Sequence, residues 1–198
     1  MRAAGLAVIV ALALTACGDM PLHLRGWHSA RSERSHTPQV DDRVLETNVR
    51  TALARSPRLD GASITPYVYM GHVFLVGFVV APDQHDTATD AAREVEGVRS
   101  VNGYLPIRSR SDGSLSLEAS DQAIEGQVKA ALALAGQAVT HVELDVLDGH
   151  VVLLGVVASQ EVAAAATATA REVNGVKGVT NFLLLPEPGY EHLRPGIG

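Results

Sequence analysis

The sequence has few of the residues from which binding and catalytic sites are usually built. Cys17 is the single cysteine among 198 residues, so the chain cannot form an internal disulfide. Lysine and arginine number 16 against 22 aspartate and glutamate residues, and the formal net charge is −6. Duplex nucleic acid and anionic membranes both attract basic surfaces. The acidic balance therefore predicts no nucleic-acid partner and no general electrostatic attraction to lipid.

Catalytic motifs are also missing. The sequence contains no Gly-x-Ser-x-Gly and no His-Glu-x-x-His, and the glycines at 77 and 155 are not followed by the Lys-Ser/Thr of a phosphate loop. His23, His28 and His36 lie 5 and 8 residues apart, which fits neither one helical face nor a compact metal loop. We therefore predict a non-enzymatic protein with no catalytic residue, no cofactor and no metal site.

The first sixteen residues read as a signal peptide. A short positive start at Arg2 precedes an uncharged apolar run over 3–16, which is too short to span a bilayer. The run ends in Leu14-Thr15-Ala16-Cys17, which resembles the bacterial lipoprotein box. That resemblance implies cleavage before Cys17 and attachment of lipid, including palmitate, at Cys17. Several acyl chains make a stable anchor where a single chain would be marginal.

Residues 17–40 are polar and irregular and are expected to form a flexible spacer behind the lipidated cysteine. Gly18 favours export to the outer membrane, whereas Asp19 leaves inner-membrane retention open. The expected location is the periplasmic face of the outer membrane.

The rest of the chain is one module used twice. Residues 71–101 return at 149–179 with 15 of 31 positions identical, from Gly71-His-Val to Gly149-His-Val and from Ala92-Arg-Glu-Val to Ala170-Arg-Glu-Val. A fixed offset of this kind indicates a duplicated structural unit. Residues that differ between the two copies are therefore the first candidates for a functional role.

The sequence pattern of each copy predicts secondary-structure elements in the order αββαβ. Apolar residues at helical spacing follow Asp42 and Asp121, and alternating strands then flank the turns at Met70-Gly71 and Asp148-Gly149. A second helix begins near Pro82 or Ser159, runs to Val95 or Val173, and is followed by Gly97 or Gly175 and a last strand. The fold class is α+β: two tandem αββαβ units, each a three-stranded sheet with two helices on one face.

Pairing residues across the hairpins separates the two faces of each sheet. Val68, Pro66 and Ile64 share a face with Val73, Leu75, Gly77 and Val79, and the repetition of the latter four in the second copy marks this face as the core. Gly77 and Gly155 are expected to let a helix approach closely. The opposite face in the first copy carries Tyr67, Tyr69, Phe74, Val76 and Phe78. Two alternatives follow: the open faces of both sheets pack together, or this aromatic face binds a partner.

The repeated patterns Gly-x-Val-x-Leu-x-Gly-x-Val and Ala-x-Glu-Val-x-Gly-Val-x-x-Val resemble the BON domain over residues 41–106 and 120–185. Two such domains behind a lipoprotein box are similar to the double-BON outer-membrane lipoproteins of Gram-negative bacteria. The resemblance implies binding to phospholipid or envelope proteins and a role in outer-membrane integrity. It also associates lipid contact with the first helix of the second domain, here residues 121–135, whose one basic residue is Lys129.

Two functional hypotheses follow. The first is a lipid-anchored periplasmic module that binds phospholipid, including anionic phospholipid, and supports the outer membrane. The second is an adaptor that docks an envelope protein assembly through the aromatic face or through the tail at 186–198. Residues 107–119 are expected to be the linker between the domains. The candidate contact residues are Tyr67, Tyr69, Phe74, Phe78 and Lys129, and the lipidation site is Cys17.

Overall fold

The computed structural model describes residues 41–108, 114–136 and 142–188, with the backbone alone for 114–117. All of these belong to one compact unit, Gln39–Gly198. We call 41–108 domain 1 and 114–188 domain 2. The predicted signal peptide, Cys17 and spacer lie outside the described residues, as does the tail beyond 188.

Both domains have the predicted order αββαβ. Domain 1 contains α1 (Asp42–Ala54), β1 (Ser63–Tyr69), β2 (His72–Phe78), α2 (Asp83–Arg93) and β3 (Ser100–Tyr104), with a short 3-10 helix at Pro57–Leu59. Domain 2 contains α3 (Ser114–Leu134), β4 (Val142–Leu147), β5 (His150–Val156), α4 (Gln160–Arg171) and β6 (Gly178–Leu184). The fold class predicted from sequence is confirmed.

Each sheet has its second strand in the middle. β2 lies between antiparallel β1 and parallel β3, and β5 lies in the same way between β4 and β6. The hairpin registers agree with the prediction, since Val68 pairs with Val73 and Val146 pairs with Val151. The parallel third strand requires a crossover, which α2 and α4 supply.

The helices cover one face of each sheet. In domain 1, Leu45 and Val49 of α1 and Ala88 and Ala92 of α2 are fully buried against Val73, Leu75 and Val79. In domain 2, Ile124, Val128 and Leu132 of α3 and Ala166 and Ala170 of α4 pack on Val151 and Leu153. The face identified from repetition is therefore the core face in both domains.

Some helix boundaries differ from the sequence prediction. α3 begins at Ser114, so Asp121 lies within the helix and the helix extends into the expected linker. α2 ends at Arg93 and α4 at Arg171, before Val95 and Val173, because the chain tightens into a turn ahead of Gly97 (φ 95°) and Gly175 (φ 90°). Ser159 is the N-cap of α4, as predicted, and its side chain accepts from the amide of Val162.

Gly77 is required for a different reason from the predicted one. A Cβ at this position would lie 1.9 Å from the carbonyl oxygen of Ser63, in the neighbouring strand, and the residue has φ 148°. No helix atom is among its three nearest neighbours. The expectation that Gly77 admits a helix was therefore wrong: the glycine admits the backbone of β1, and its conformation disfavours any other side chain.

Within 41–108, 114–136 and 142–188, none of the helices combines the length and apolar character that crossing a membrane requires.

Candidate functional site: the face between the domains

The aromatic face of domain 1 packs against the open face of the domain 2 sheet. Phe74 and Val76 are 2% and 1% exposed, and they contact Val152 and Leu154, which are both 0% exposed. We call this set the interdomain core; its partly buried border is formed by Tyr67, Tyr69, Tyr104, Leu147, Phe182 and Leu184. Of the two alternatives left open by the sequence, the structure has the packed one. A partner cannot dock on this face while the sheets are together.

Ring contacts extend across the interdomain core. Phe74 lies 5.0 Å from Phe182 between ring centroids and 6.4 Å from Tyr69. Tyr104 stacks on His150 at 4.2 Å, and burial lowers the pKa of His150. Phe78 lies outside this set and contacts its own domain, where the guanidinium carbon of Arg108 is 3.3 Å from its ring centroid. The Phe74 ring is tilted by 31° to Phe182 and by 48° to Tyr69, while Tyr104 and His150 are stacked at 12°. These ring pairs and the cation–π contact contribute beyond the area they bury.

The interface is close to symmetric because it joins two copies of one module. The Tyr67 hydroxyl donates to Oδ2 of Asp145 at 2.7 Å, and these two residues occupy equivalent positions 78 residues apart. Equivalent residues that touch each other lie near a two-fold axis, which is the geometry of a dimer interface within one chain. Burial, and then the hydrogen bond to Asp145, raises the pKa of Tyr67, so the phenol remains a donor.

A salt bridge closes one end of the interface. Arg108, which follows the last strand of domain 1, pairs with Asp148 in the hairpin turn of domain 2. We call this pair the Arg108 latch. The Arg108 side chain is 16% exposed and its guanidinium stacks on Phe78, so the pair is shielded from solvent on the arginine side, whereas Asp148 is 39% exposed.

The other end has a reciprocal contact. Glu187, which follows the last strand of domain 2, accepts from Arg99 at 2.6 Å and lies 3.3 Å from Nε2 of His72, both in domain 1. Arg99 also donates to the carbonyl of Met70 in the domain 1 hairpin turn. The hydrogen bond from Arg99 holds the pKa of the Glu187 carboxyl below its usual range. We call this contact the Glu187 latch. Each latch joins the segment after one sheet to the hairpin end of the other.

Sequence reasoning missed a carboxylate that holds each hairpin turn. Asp42 accepts from the amides of Met70 (2.6 Å) and Gly71 (2.9 Å). Asp121 accepts in the same way from Asp148 (2.8 Å) and Gly149 (2.7 Å). The repeat carries a signal that could have revealed these contacts, because each acid precedes its hairpin turn by nearly the same number of residues. The sequence predicts both as acids in the first turn of a helix, which is confirmed for Asp42 in α1, whereas Asp121 lies within α3.

Lys129 is not brought together with the aromatic residues. It lies on α3, which packs on the opposite face of the domain 2 sheet, and its ammonium pairs with Glu125 one helical turn away. The interdomain face and the α3 surface are therefore separate candidate sites.

The cleft beside the Arg108 latch does not form a metal site. It encloses ≈ 420 Å³ and is bordered by Glu118, Asp121, Glu125 and Asp145. Both oxygens of Asp121 accept backbone amides, Asp145 accepts from Tyr67, and Glu125 pairs with Lys129. Across the part of the chain that the structure describes, no three metal-ligating side chains converge.

Two αββαβ domains joined face to face by their sheets define a small two-domain module with its helices on the outside. The sequence profile of the BON domain matches residues 41–108 and 120–186. The chain belongs to the BON-domain family.

Three relatives are similar over most of their length. The chain is 36% identical over 146 residues to osmotically-inducible protein Y of Escherichia coli, covering 73% of this chain and 72% of that protein. It is 33% identical over 152 residues to outer membrane lipoprotein DolP of Haemophilus influenzae, covering 76% and 77%. It is also 33% identical over 153 residues to a 21 kDa hemolysin of Actinobacillus pleuropneumoniae, covering 76% and 77%.

Proposed function

We propose that the chain is a non-enzymatic, lipid-anchored envelope module that contacts phospholipid through α3 of domain 2 and supports outer-membrane integrity. The face-to-face packing supports this proposal because it buries both sheets and leaves the helices as the outer layers. Contact with lipid or with an envelope protein must then use a helix or a sheet edge. The aromatic face is covered, so an adaptor would have to dock its partner through the tail at 186–198. The part of the tail after Pro188 lies outside the described residues.

The two helical layers differ in polarity. In domain 1, α1 and α2 expose many charged side chains, among them Arg43, Arg50, Asp83, Asp86 and Arg93. In domain 2, the exposed positions of α3 include Ala123, Gly126, Ala130, Ala133 and Leu134. Leu134 is 89% exposed, which is the observation that carries the proposal. An exposed apolar side chain among small residues suits the boundary between head groups and acyl chains better than open water.

Electrostatic attraction contributes little to the proposed contact. Lys129 is already paired with Glu125, and the chain has a net charge of −6. Apolar burial then dominates, and binding to anionic vesicles should exceed binding to zwitterionic ones by a small factor only. That expectation separates this surface from a polybasic one, where each basic residue contributes about 1 kcal/mol.

Vesicle flotation tests the lipid contact. Residues 18–198, without the anchor, should float with vesicles of phosphatidylethanolamine and phosphatidylglycerol at low salt. Leu134→Asp should reduce the floated fraction several-fold, because it places a charge at the apolar contact. Val44→Asp is the matched control, since Val44 is a 53% exposed apolar residue on the first helix of domain 1. No flotation with these vesicles, or equal losses in the Leu134→Asp and Val44→Asp variants, would contradict the proposal.

The anchor is proposed on separate grounds. The lipoprotein box ends at Cys17, and one relative is named an outer membrane lipoprotein. We expect the full chain to incorporate labelled palmitate and to fractionate with the outer membrane, on its periplasmic face. Cys17→Ser should remove the label because Cys17 is the only thiol in the sequence. A label that persists in that variant would show that the lipid is attached elsewhere.

A further inference from the structure

The two latches that close the interdomain face differ in their exposure to solvent. The carboxylates are similarly exposed, at 39% for Asp148 and 37% for Glu187, but the Arg108 side chain is 16% exposed and stacked on Phe78, whereas the Arg99 side chain is 47% exposed. An exposed ion pair contributes little and is weakened by salt, while a shielded pair is screened much less. The two ends of the interface are therefore held with unequal strength.

Each latch belongs to a different set of ring contacts. β5 starts at His150, directly after the turn that contains Asp148, so the Tyr104–His150 stack lies at the Arg108 end. β6 runs parallel to β5 and ends at Leu184, beside Val156, so Glu187 emerges from the far end of the domain 2 sheet. There it meets His72, two residues from Phe74, whose ring packs on Phe182.

We propose that the segment 185–188 is a releasable strap, and that the interdomain face opens from the Glu187 end while the Arg108 latch serves as the pivot. The proposal goes beyond the phospholipid function, since it concerns a face that is covered in the closed protein. Release removes the exposed Glu187 contacts with Arg99 and His72 and admits solvent to Phe74 and Phe182. The Tyr104–His150 stack and the Arg108–Asp148 salt bridge keep the other end closed.

Hydroxyl-radical footprinting of the full-length protein in mild detergent measures this opening at native side chains. Glu187→Lys places like charges together at Arg99 and should raise the oxidation rates of Phe74 and Phe182 about two- to five-fold, the range that loss of an exposed pair supports. The rates at Tyr104 and Phe78 should stay within error. Glu172→Lys, the same charge change at the exposed end of α4, is the matched control and should change none of the four.

Two further arms make the outcome decisive. Arg108→Gln should reverse the pattern, raising oxidation at Phe78 and Tyr104 before Phe74 and Phe182. For the unmodified protein, 1 M NaCl should partly reproduce the Glu187→Lys pattern because the exposed pair is screened. Circular dichroism checks that each variant is folded; if Glu187→Lys is not, Glu187→Gln replaces it with the same pattern expected at smaller size. Equal increases at all four rings, or no increase at Phe74 and Phe182 in a folded variant, would overturn the proposal.

Discussion

At the scale of single residues, the most consequential side chains are the two aspartates under the hairpin turns. Met70 and Asp148 have φ values of 55° and 54°, a left-handed conformation that non-glycine residues adopt at a cost. Asp42 and Asp121 each bind the amide of that residue and the amide of the glycine after it. One carboxylate therefore fixes a strained turn to the first helix of its domain.

Asp121→Ala should destabilise the protein strongly. The substitution leaves the amides of Asp148 and Gly149 without an acceptor in a buried site, and we expect a loss of about 2–4 kcal/mol in the free energy of unfolding. Asp121→Asn retains one acceptor oxygen and should lose roughly half of that. Urea unfolding followed by circular dichroism measures both changes.

The control for this prediction is an aspartate on the surface. The Asp86 side chain is 89% exposed on α2, and Asp86→Ala should change the free energy of unfolding by less than about 0.5 kcal/mol. If Asp121→Ala cost no more than Asp86→Ala, the two amide contacts would contribute nothing net.

At the scale of helices and strands, the sequence was sufficient for order, register and core face. Strand alternation has a period of two, so a one-residue slip would turn Val73 and Leu75 outward, and the turn at Gly71 allows one register only. The second copy repeated the same residues at the same positions, which separated the shared core from the variable outer face. Element order, strand register and the core face depend on local interactions, so local sequence patterns were enough to predict them.

The errors arose where a distant contact decided the structure. Asp121 resembles a helix-start signal, but its partners lie in a hairpin turn 27 and 28 residues further along the chain, and α3 begins at Ser114. Gly77 resembles a helix-approach site, but its neighbour is a backbone carbonyl of the adjacent strand. Neither partner can be inferred from spacing along the chain.

A similar non-local effect distinguishes the third strands. Ser100 begins β3 and its hydroxyl lies 2.7 Å from Nδ1 of His72. The equivalent residue in β6 is Gly178, and a Cβ there would lie 2.6 Å from Nδ1 of His150. The missing side chain leaves room for the imidazole in its position stacked on Tyr104. Both histidines also contact their own third strand and the other domain, since Nε2 of His150 lies 2.8 Å from the Thr180 hydroxyl and His72 meets Glu187. The change from Ser100 to Gly178 therefore alters how the histidine is placed, and in domain 2 it stacks on a ring of the other domain.

At the scale of the whole molecule, sequence alone could not choose between an open and a packed aromatic face. The same apolar residues suit a binding surface and an interface, and the choice depends on whether the second copy presents a complementary surface. It does: Val152 and Leu154 are fully buried in one cluster with Phe74 and Val76, and Asp145 accepts from the Tyr67 hydroxyl. The aromatic outer face of domain 1 and the outer face of domain 2 that carries Asp145, Val152 and Leu154 are the two halves of one interface.

Phe74→Ala should therefore weaken the coupling between the domains as well as overall stability. Removing a ring that is 2% exposed leaves a cavity between the sheets, and we expect a loss of about 3–5 kcal/mol in the free energy of unfolding. Because the cavity lies between two separate cores, the single unfolding transition expected of the wild type should divide into two. Differential scanning calorimetry of the full chain measures both effects.

Val44→Ala is the matched truncation on the surface, and it should leave a single transition with nearly unchanged midpoint because Val44 is 53% exposed. Phe78→Ala should lie between the two variants, since Phe78 is only partly buried and contacts Arg108 of its own domain. This ranking follows from packing alone and requires no partner. A Phe74→Ala protein that melted in one transition at the wild-type temperature would mean that the aromatic face is open in solution. The hypothesis that this face docks an envelope protein would then be supported again.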